Sequence, residues 1–429
     1  MRARSFVLVV LGLAGCGGPP LSAPDAHSVD AGPDPEPPLD AGLLPDGGLA
    51  LDAGATDTGA PDGGAPDTVA VQVWNAGVAH EHAIVVLHDA EGVPRAIDLT
   101  DSDGIATFRV TEGPVMITTR TASGALRTRM DVQPGDTLCI GDPRDRSRHT
   151  VRVALPLVPP AGASTLEITT SDGCGMVRVE PGAIAADVEA CAPSGVFHVL
   201  ATARDASDVA IAHASALDQE RTATFVALPS WTTDLVPLDV QVTGATAPWV
   251  HASAQRGGAS LLLGAWDGLA AQAPVPDLGS FVSIGLRDGT RSLARITATV
   301  PGSLALDGDR DLLPAVVIAS AVAGDDPARP HVAWDLARPA DLDLVQVMLG
   351  GRSRWLIDGS GDRRALRYPE LPELLADARP TADVPTVTVT VYDRTWLDSE
   401  QTRSRCPVEP APDIDGVFRA SEATAALTE

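Results

Sequence analysis

At 429 residues the chain exceeds what one compact core holds, and two to four domains are expected. Its make-up, 44% hydrophobic and 21% charged, is that of a globular protein able to bury a core. All 31 basic residues are arginine against 57 acidic residues, and the formal net charge of −26 offers no net positive field to phosphate, which argues against nucleic acid as a partner.

Met1 to Arg4 is a short basic start, and Phe6 to Leu13 is an apolar run of eight. A bilayer span needs about 20 apolar residues, so this is the core of an export signal, not a span. The run ends in Leu13-Ala14-Gly15-Cys16. These four residues resemble the lipobox of bacterial lipoproteins: an aliphatic residue, two small ones that fit a peptidase groove, and a cysteine whose thiol takes a lipid. The resemblance implies a signal peptide at 1–15, lipidation of Cys16 and a membrane partner reached through acyl chains. Two or three such chains anchor stably where one binds reversibly. Gly17 stands where the enteric inner-membrane signal has Asp, so the implied address is the outer membrane, with periplasmic or surface exposure left open. An ordinary secretory signal with an incidental cysteine is the alternative. Removal of Arg2 and Arg4 with the leader takes the net charge from −26 to −28.

Residues 16–68 change character. Asp-Ala-Gly recurs at 30, 40 and 52, Pro-Asp-Gly-Gly at 45 and 61, and ten acidic residues stand between Gly17 and Asp67 with no basic one. Pro and Gly abolish helix and ladder, and apolar residues are too few for a core, which predicts a disordered tether. Its reach as a coil is roughly 40 Å. The repeated Asp could hold calcium weakly, but EF-hand and nonapeptide spacing are absent, and a solubilising spacer is the plainer reading.

From Val69 the pattern is β. Val69, Val71 and Val73 alternate with Ala70, Gln72 and Trp74; Ile84 to Leu87 is a buried-strand run; Ala106 to Val110 alternates again. Gly92, Gly104, Gly113 and Gly124 punctuate these strands at sandwich spacing. The runs Ala83 to Gly92, Thr100-Asp101-Ser102-Asp103-Gly104 to Phe108, and Gly113-Pro114-Val115 resemble the carboxypeptidase regulatory-like, or transthyretin-like, β-sandwich. There Asp caps the turn amides, Gly takes positive φ and a Phe fills the sandwich. The resemblance covers 69–155 and implies a non-catalytic adaptor fold. Phe108 is the expected core anchor of an autonomous domain ending near Gly141.

The rest keeps the same idiom. Strands are expected at Val151 to Leu155, Leu166 to Thr169, Gly195 to Thr202, Val209 to Ala214, Ala223 to Leu228, Leu238 to Val242 and Ser280 to Leu286. Others are expected at Ala294 to Val300, Ala315 to Val322, Leu342 to Leu349 and Val384 to Val391, with a short helix at Leu371 to Ala378. Linkers expected near 156–163, 229–237 and 324–330 divide this stretch into β-domains at 156–235, 236–325 and 326–429. The last, with Trp334, Trp355 and Tyr368 to Pro372, reads as fibronectin-like with a C-terminal tail. The expected fold class is therefore all-β: tandem Ig-like and transthyretin-like sandwiches after a disordered tether.

Besides Cys16 the chain has four cysteines. Cys174 follows a Ser-Asp-Gly turn and Cys191 ends a strand-like run 17 residues later, which favours a Cys174–Cys191 disulfide. Cys139–Cys406 then follows by elimination. Thiolate metal ligation lacks any Cys-x-x-Cys pair. His80 and His82 would share a strand face with His88 nearby; without a visible third ligand they read as surface residues. Asp307-Gly308-Asp309-Arg310-Asp311 begins like a calcium loop, but Leu312 and Ile318 stand where Gly and Glu belong, leaving an acidic turn. No nucleophile elbow, His-Glu-x-x-His or phosphate loop is present. No catalytic residue, metal or cofactor is expected. Seven Trp could stack on sugars, though in a sandwich Trp is more often core. The expected function is a non-enzymatic binding, adhesion or scaffold protein of the cell envelope, with an envelope protein or glycan as partner. The alternative is an exported hydrolase or its carbohydrate-binding accessory module.

Overall fold

The structure, a computed structural model, describes residues 67–75, 77–141, 147–192, 195–256, 259–279, 281–297, 300–323, 326, 329–350, 354–378, 386–394 and 416–428. Cys16, the tether, Cys406 and Trp396 lie outside the described residues. The described part is all-β, as expected.

The first group of strands is β1 (Thr68–Asn75), β2 (Val78–Ala79), β3 (Ile84–His88), β4 (Pro94–Leu99), β5 (Ile105–Arg109), β6 (Val115–Arg120), β7 (Leu126–Val132) and β8 (Thr137–Ile140). β1 carries β5 on one edge and, in parallel, β8 on the other, and β2 folds back on its end. Val69, Val71, Val73, Phe108 and Ile117 fill the core beneath. The Asp101 turn forms as its residues dictate: Asp101 Oδ1 accepts the amides of Asp103 and Ile105, each at 2.9 Å, and Gly104 sits at φ 72°.

The second group is β9 (His149–Ala154), β10 (Thr165–Thr170), β11 (Met176–Val179), β12 (Ala185–Ala190), β13 (Val196–Arg204), β14 (Ala210–Glu220) and β15 (Phe225–Ala227). It makes two sheets, ordered β11-β10-β13-β14 and β12-β9-β15, that close on Val151, Ile168, Phe197 and Val199. The third group is β16 (Leu235–Thr243), β17 (Pro248–Arg256), β18 (Ala259–Asp267), β19 (Ala270–Pro276), β20 (Phe281–Asp288), β21 (Arg291–Thr297) and β22 (Ser303–Asp307). Its core holds Leu238, Val250, Leu261 and Ile284. The fourth is β23 (Val316–Val322), β24 (His331–Leu336), β25 (Leu344–Leu349), β26 (Trp355–Ser360), β27 (Ala365–Arg367), β28 (Thr386–Arg394) and β29 (Gly416–Ala426). Trp334, Trp355 and Tyr368 share its core, the last two ring to edge at 5.0 Å. The expected helix near Leu371 is a short 3-10 segment at Glu373–Ala378, kinked at Leu375.

One sheet of twelve strands runs through three of these four cores, in the order β18-β17-β20-β21-β29-β28-β25-β26-β7-β6-β3-β4. Two joins make it continuous. The C-terminal strand β29 pairs with β21 of the third group along one edge and β28 of the fourth along the other. Strand β26 pairs in parallel with β7, far earlier in the chain.

The second join corrects the expectation of an autonomous first sandwich. Strands β3 and β6 are covered on both faces, and β7 on the face toward the fourth core. Val85 and Ile117 point into the first core, whereas Val86, Met116, Leu126 and Met130 belong to the fourth. The β7-β6-β3 end of the twelve-stranded sheet is thus the middle layer of a three-layer body, with the β1 sheet on one side and the fourth group's β23-β24-β27 sheet on the other. The histidine reading is also corrected. His80 follows β2 and His82 sits in a turn at φ 59°, so they share no strand face. His88 is not on the surface at all; it is fully buried in β3, because the fourth group covers that side.

Candidate functional site

The parallel register of β26 on β7 ends at Asp358 and Arg129. Two residues on, Asp131 turns left-handed at φ 61°, a conformation that Asp tolerates better than most residues. Its carboxylate faces the end of β26, where Ser360 donates its amide at 3.0 Å and its hydroxyl at 2.9 Å. The Arg363 guanidinium adds a two-toothed contact, Nε to Oδ2 at 2.9 Å and Nη2 to Oδ1. Burial raises the Asp131 pKa, but the Arg363 fork and Ser360 outweigh it and hold the acid down at about 2. Around this group Arg129, Asp136, Asp343 and Gly359 line a cavity of about 40 Å³, space for roughly three waters. Asp131 is therefore ionised and fully occupied. Its chemistry is that of a strut between the first and last strand groups.

Beside the strut lies a polar face. In β28, Val387, Val389 and Val391 enter the fourth core while Thr386, Thr388, Thr390 and Tyr392 point the other way. Tyr392 donates its hydroxyl to Gln346 Oε1 at 3.0 Å, and Gln346 donates Nε2 to Asp358 at 2.9 Å. Arg129 stands 3.9 Å from Asp358. On the other side Thr390 donates to Glu422 at 3.3 Å, and Thr388 and Thr424 share a hydrogen bond of 3.0 Å. A row of side chains from β29 to β7 thus crosses the joint on one face of the sheet. Sequence reading missed this row, although the alternation in Thr-Val-Thr-Val-Thr-Val announced its outward half.

The remaining candidates resolve into structure. Burial pushes His88 down to about 4 despite Asp89 beside it, and pushes His251 down to about 4 as well. His251 stacks on Trp249 at 4.7 Å and covers Gly285, where a Cβ would meet the ring at 1.8 Å. Trp334 and Trp355 are core, and Trp74, Trp231, Trp249 and Trp266 are half-buried. In the acidic turn the carboxylates cap their own loop: Asp309 donates its amide to Asp307 Oδ1 at 3.0 Å, and Asp307 its amide to Asp311 Oδ2 at 2.7 Å. Among the described residues, no three His, Cys, Asp or Glu are placed to hold a metal. No helix among them is long and apolar enough to cross a membrane. Cys174 and Cys191 form a disulfide with Cα atoms 5.8 Å apart. Cys139 is disulfide-bonded too, and its expected partner, Cys406, lies outside the described residues.

No family model matches the chain, and no curated relative does. Among solved structures, the Bacillus anthracis TIE protein is similar over 56% of this chain at 9% identity and a TM-score of 0.16; this chain spans about half of it, 49%. A tetra-tandem repeat from the extending region of a large adhesion protein is similar over 84% of this chain and 99% of its own, at 11% identity and a TM-score of 0.15. Scores this low bear on neither mechanism nor partner.

Proposed function

We propose that this chain is a lipid-anchored protein of the cell envelope that works by binding, as an adhesion or scaffold protein, without chemistry of its own. The anchor is Cys16, the address the outer membrane, and the first sandwich an adaptor of the carboxypeptidase regulatory-like kind. The observation that carries the reading is the twelve-stranded sheet through three cores, with a row of hydroxyl, amide and carboxylate groups across its joint. Such a surface suits polar recognition of an envelope glycan or protein. In the seam cavity Asp131 is occupied in an ion pair with Arg363 instead of standing ready to move a proton.

The test is binding of the chain from residue 67 onward to purified cell-wall glycans and to outer-membrane proteins, beside a Tyr392→Ala variant. Retention on one of these, weakened at least several-fold by Tyr392→Ala, is expected. Turnover of a panel of glycoside, ester or peptide substrates by the purified chain would overturn the reading.

A further inference from the structure

The second strand group meets the third through a small set of atoms. At the end of β10 a single turn, Ser171–Gly173, projects Asp172 in a left-handed conformation, φ 57°. Asp172 Oδ1 accepts the amide of Ser260 at 3.1 Å. Ser260 lies in β18, the end strand of the twelve-stranded sheet, so this carboxylate caps an edge amide that no further strand takes up. Ser171 Oγ accepts the amide of His198 at 3.1 Å. The His198 ring, itself buried, completes the joint: Nδ1 accepts the amide of Asp218 at 2.9 Å, and Nε2 meets Arg256 O at 3.0 Å. Arg256 in turn grips Asp218 through Nε and Nη2, at 2.9 and 2.6 Å to Oδ2. Leu200 of the second group joins the third core beneath these polar contacts.

The Cys174–Cys191 bond ties this turn to the end of β12. Cys174 is the residue directly after the turn, and Cys191, buried, follows β12. Around it Thr170 Oγ1 donates to Glu189 O at 2.7 Å, and Gly175 lies so close to the same carbonyl that a Cβ would meet it at 2.1 Å. The disulfide thus sits at the rim of the second core, between that core and the residue that reaches across the joint.

We propose that the Cys174–Cys191 disulfide is a redox-sensitive latch on the joint between the second and third strand groups. Oxidised, it holds Asp172 where it receives the Ser260 amide. Reduction by a dithiol breaks the S–S bond to two thiols, with two electrons and two protons from the reductant, whose own thiols close to a disulfide. The turn is then free to relax from its left-handed conformation and release β18, while both cores keep their packing.

The experiment is amide hydrogen exchange, residue by residue, on the whole chain. Three samples are compared with the parent: Cys174→Ser with Cys191→Ser; Asp172→Gly, which keeps the disulfide and deletes the reaching carboxylate; and a Cys139→Ser protein treated with a dithiol, so that the other disulfide does not contribute to the difference. In all three the Ser260 amide should exchange about tenfold faster or more, since a hydrogen bond to a charged acceptor holds at least that factor. Amides of Ile168 and Val199 in the second core and of Val250 and Ile284 in the third should keep their protection. Unchanged exchange at Ser260 in any of the three overturns the proposal. So does loss of protection at Ile168 and Val199 in the disulfide variant, because the bond is then a staple of the second core and not a latch on the joint.

Discussion

Thr128→Val is the sharpest probe of the join between the first and last strand groups. Thr128 and Trp355 are 2% and 1% exposed, and Trp355 Nε1 donates to Thr128 Oγ1 at 2.8 Å across 227 residues of sequence. Thr128 Oγ1 also shares a 2.8 Å hydrogen bond with Thr118 Oγ1, itself fully buried. Valine keeps the shape and removes the oxygen, so the indole N–H and the Thr118 hydroxyl both lose this partner in the dark interior of the seam. A buried polar group left unsatisfied costs about 1–3 kcal/mol, which puts the expected loss at roughly 2–4 kcal/mol for the pair. Urea unfolding followed by Trp fluorescence reads it, with the slope unchanged so that the midpoint shift reports stability alone. A double-mutant cycle with Trp355→Phe then isolates the pair, and a coupling above about 1 kcal/mol is expected of a buried hydrogen bond. A Thr128→Val midpoint equal to the parent's would show that the first sandwich does not lean on the last, and the three-layer reading would fall.

Three further outcomes follow from the same geometry. His88 titrates near 6.5 in the unfolded chain and near 4 when folded, so its contribution is complete above pH 6.5 and is lost as pH falls to 4; this amounts to about 3 kcal/mol, measured as the urea midpoint against pH, and His88→Leu should flatten the decline. Gly92→Ala forces a side chain into φ 79° and a Cβ within 2.9 Å of the Pro369 Cα, whereas Gly162→Ala at φ 85° meets nothing within 4 Å. Both carry the left-handed penalty of about 1–2 kcal/mol, and only Gly92→Ala should cost more and lower the melting temperature further. Cys16→Ser should move the chain from the detergent phase to the aqueous phase in a cloud-point partition, and lipid label on that variant would refute the anchor.

The pattern of what was legible follows from how many faces and edges of a strand are covered. Strand β1 has one side that is only partly covered, so its buried Val positions alternate with Ala70, Gln72 and Trp74, and the Asp101 and Gly104 turn that leads to Phe108 could be read residue by residue. The Cys174–Cys191 pair was legible for a similar reason: a short separation across a turn is local information. Strand β3 was recognised as buried from Ile84 to Leu87, but the partner on its second face is more than two hundred residues away, and no local pattern names it. That hidden layer is why His88 looked like a surface residue. Strand β29 went unread because Arg-Ala-Ser-Glu-Ala-Thr-Ala-Ala carries the propensity of a helix or a tail. It is a strand because both its edges find partners, and pairing on two edges overrides propensity. Asp131 was invisible for the same reason as Thr128: its meaning lies in Arg363 and Ser360, which approach only when β26 docks on β7.

These distant joins also order the assembly of the chain. Pairing β7 with β26 closes a loop of more than two hundred residues, and β29 must arrive before the edges of β21 and β28 are covered. Closing so long a loop costs only a little more than a short one in equilibrium, because the entropy grows with the logarithm of length. The rate suffers more, since the ordering entropy is spent before the non-local contacts return it. Until that moment Val86, Met116, Leu126 and Met130 have no cover, at a cost of about 1.5–3 kcal/mol for each exposed side chain. The first sandwich is therefore the first part synthesised and among the last to be complete. If the anchor is at Cys16, the tethered end waits at the membrane with an apolar sheet face open. A local interaction that shields this face in the meantime would speed folding without appearing in the finished body.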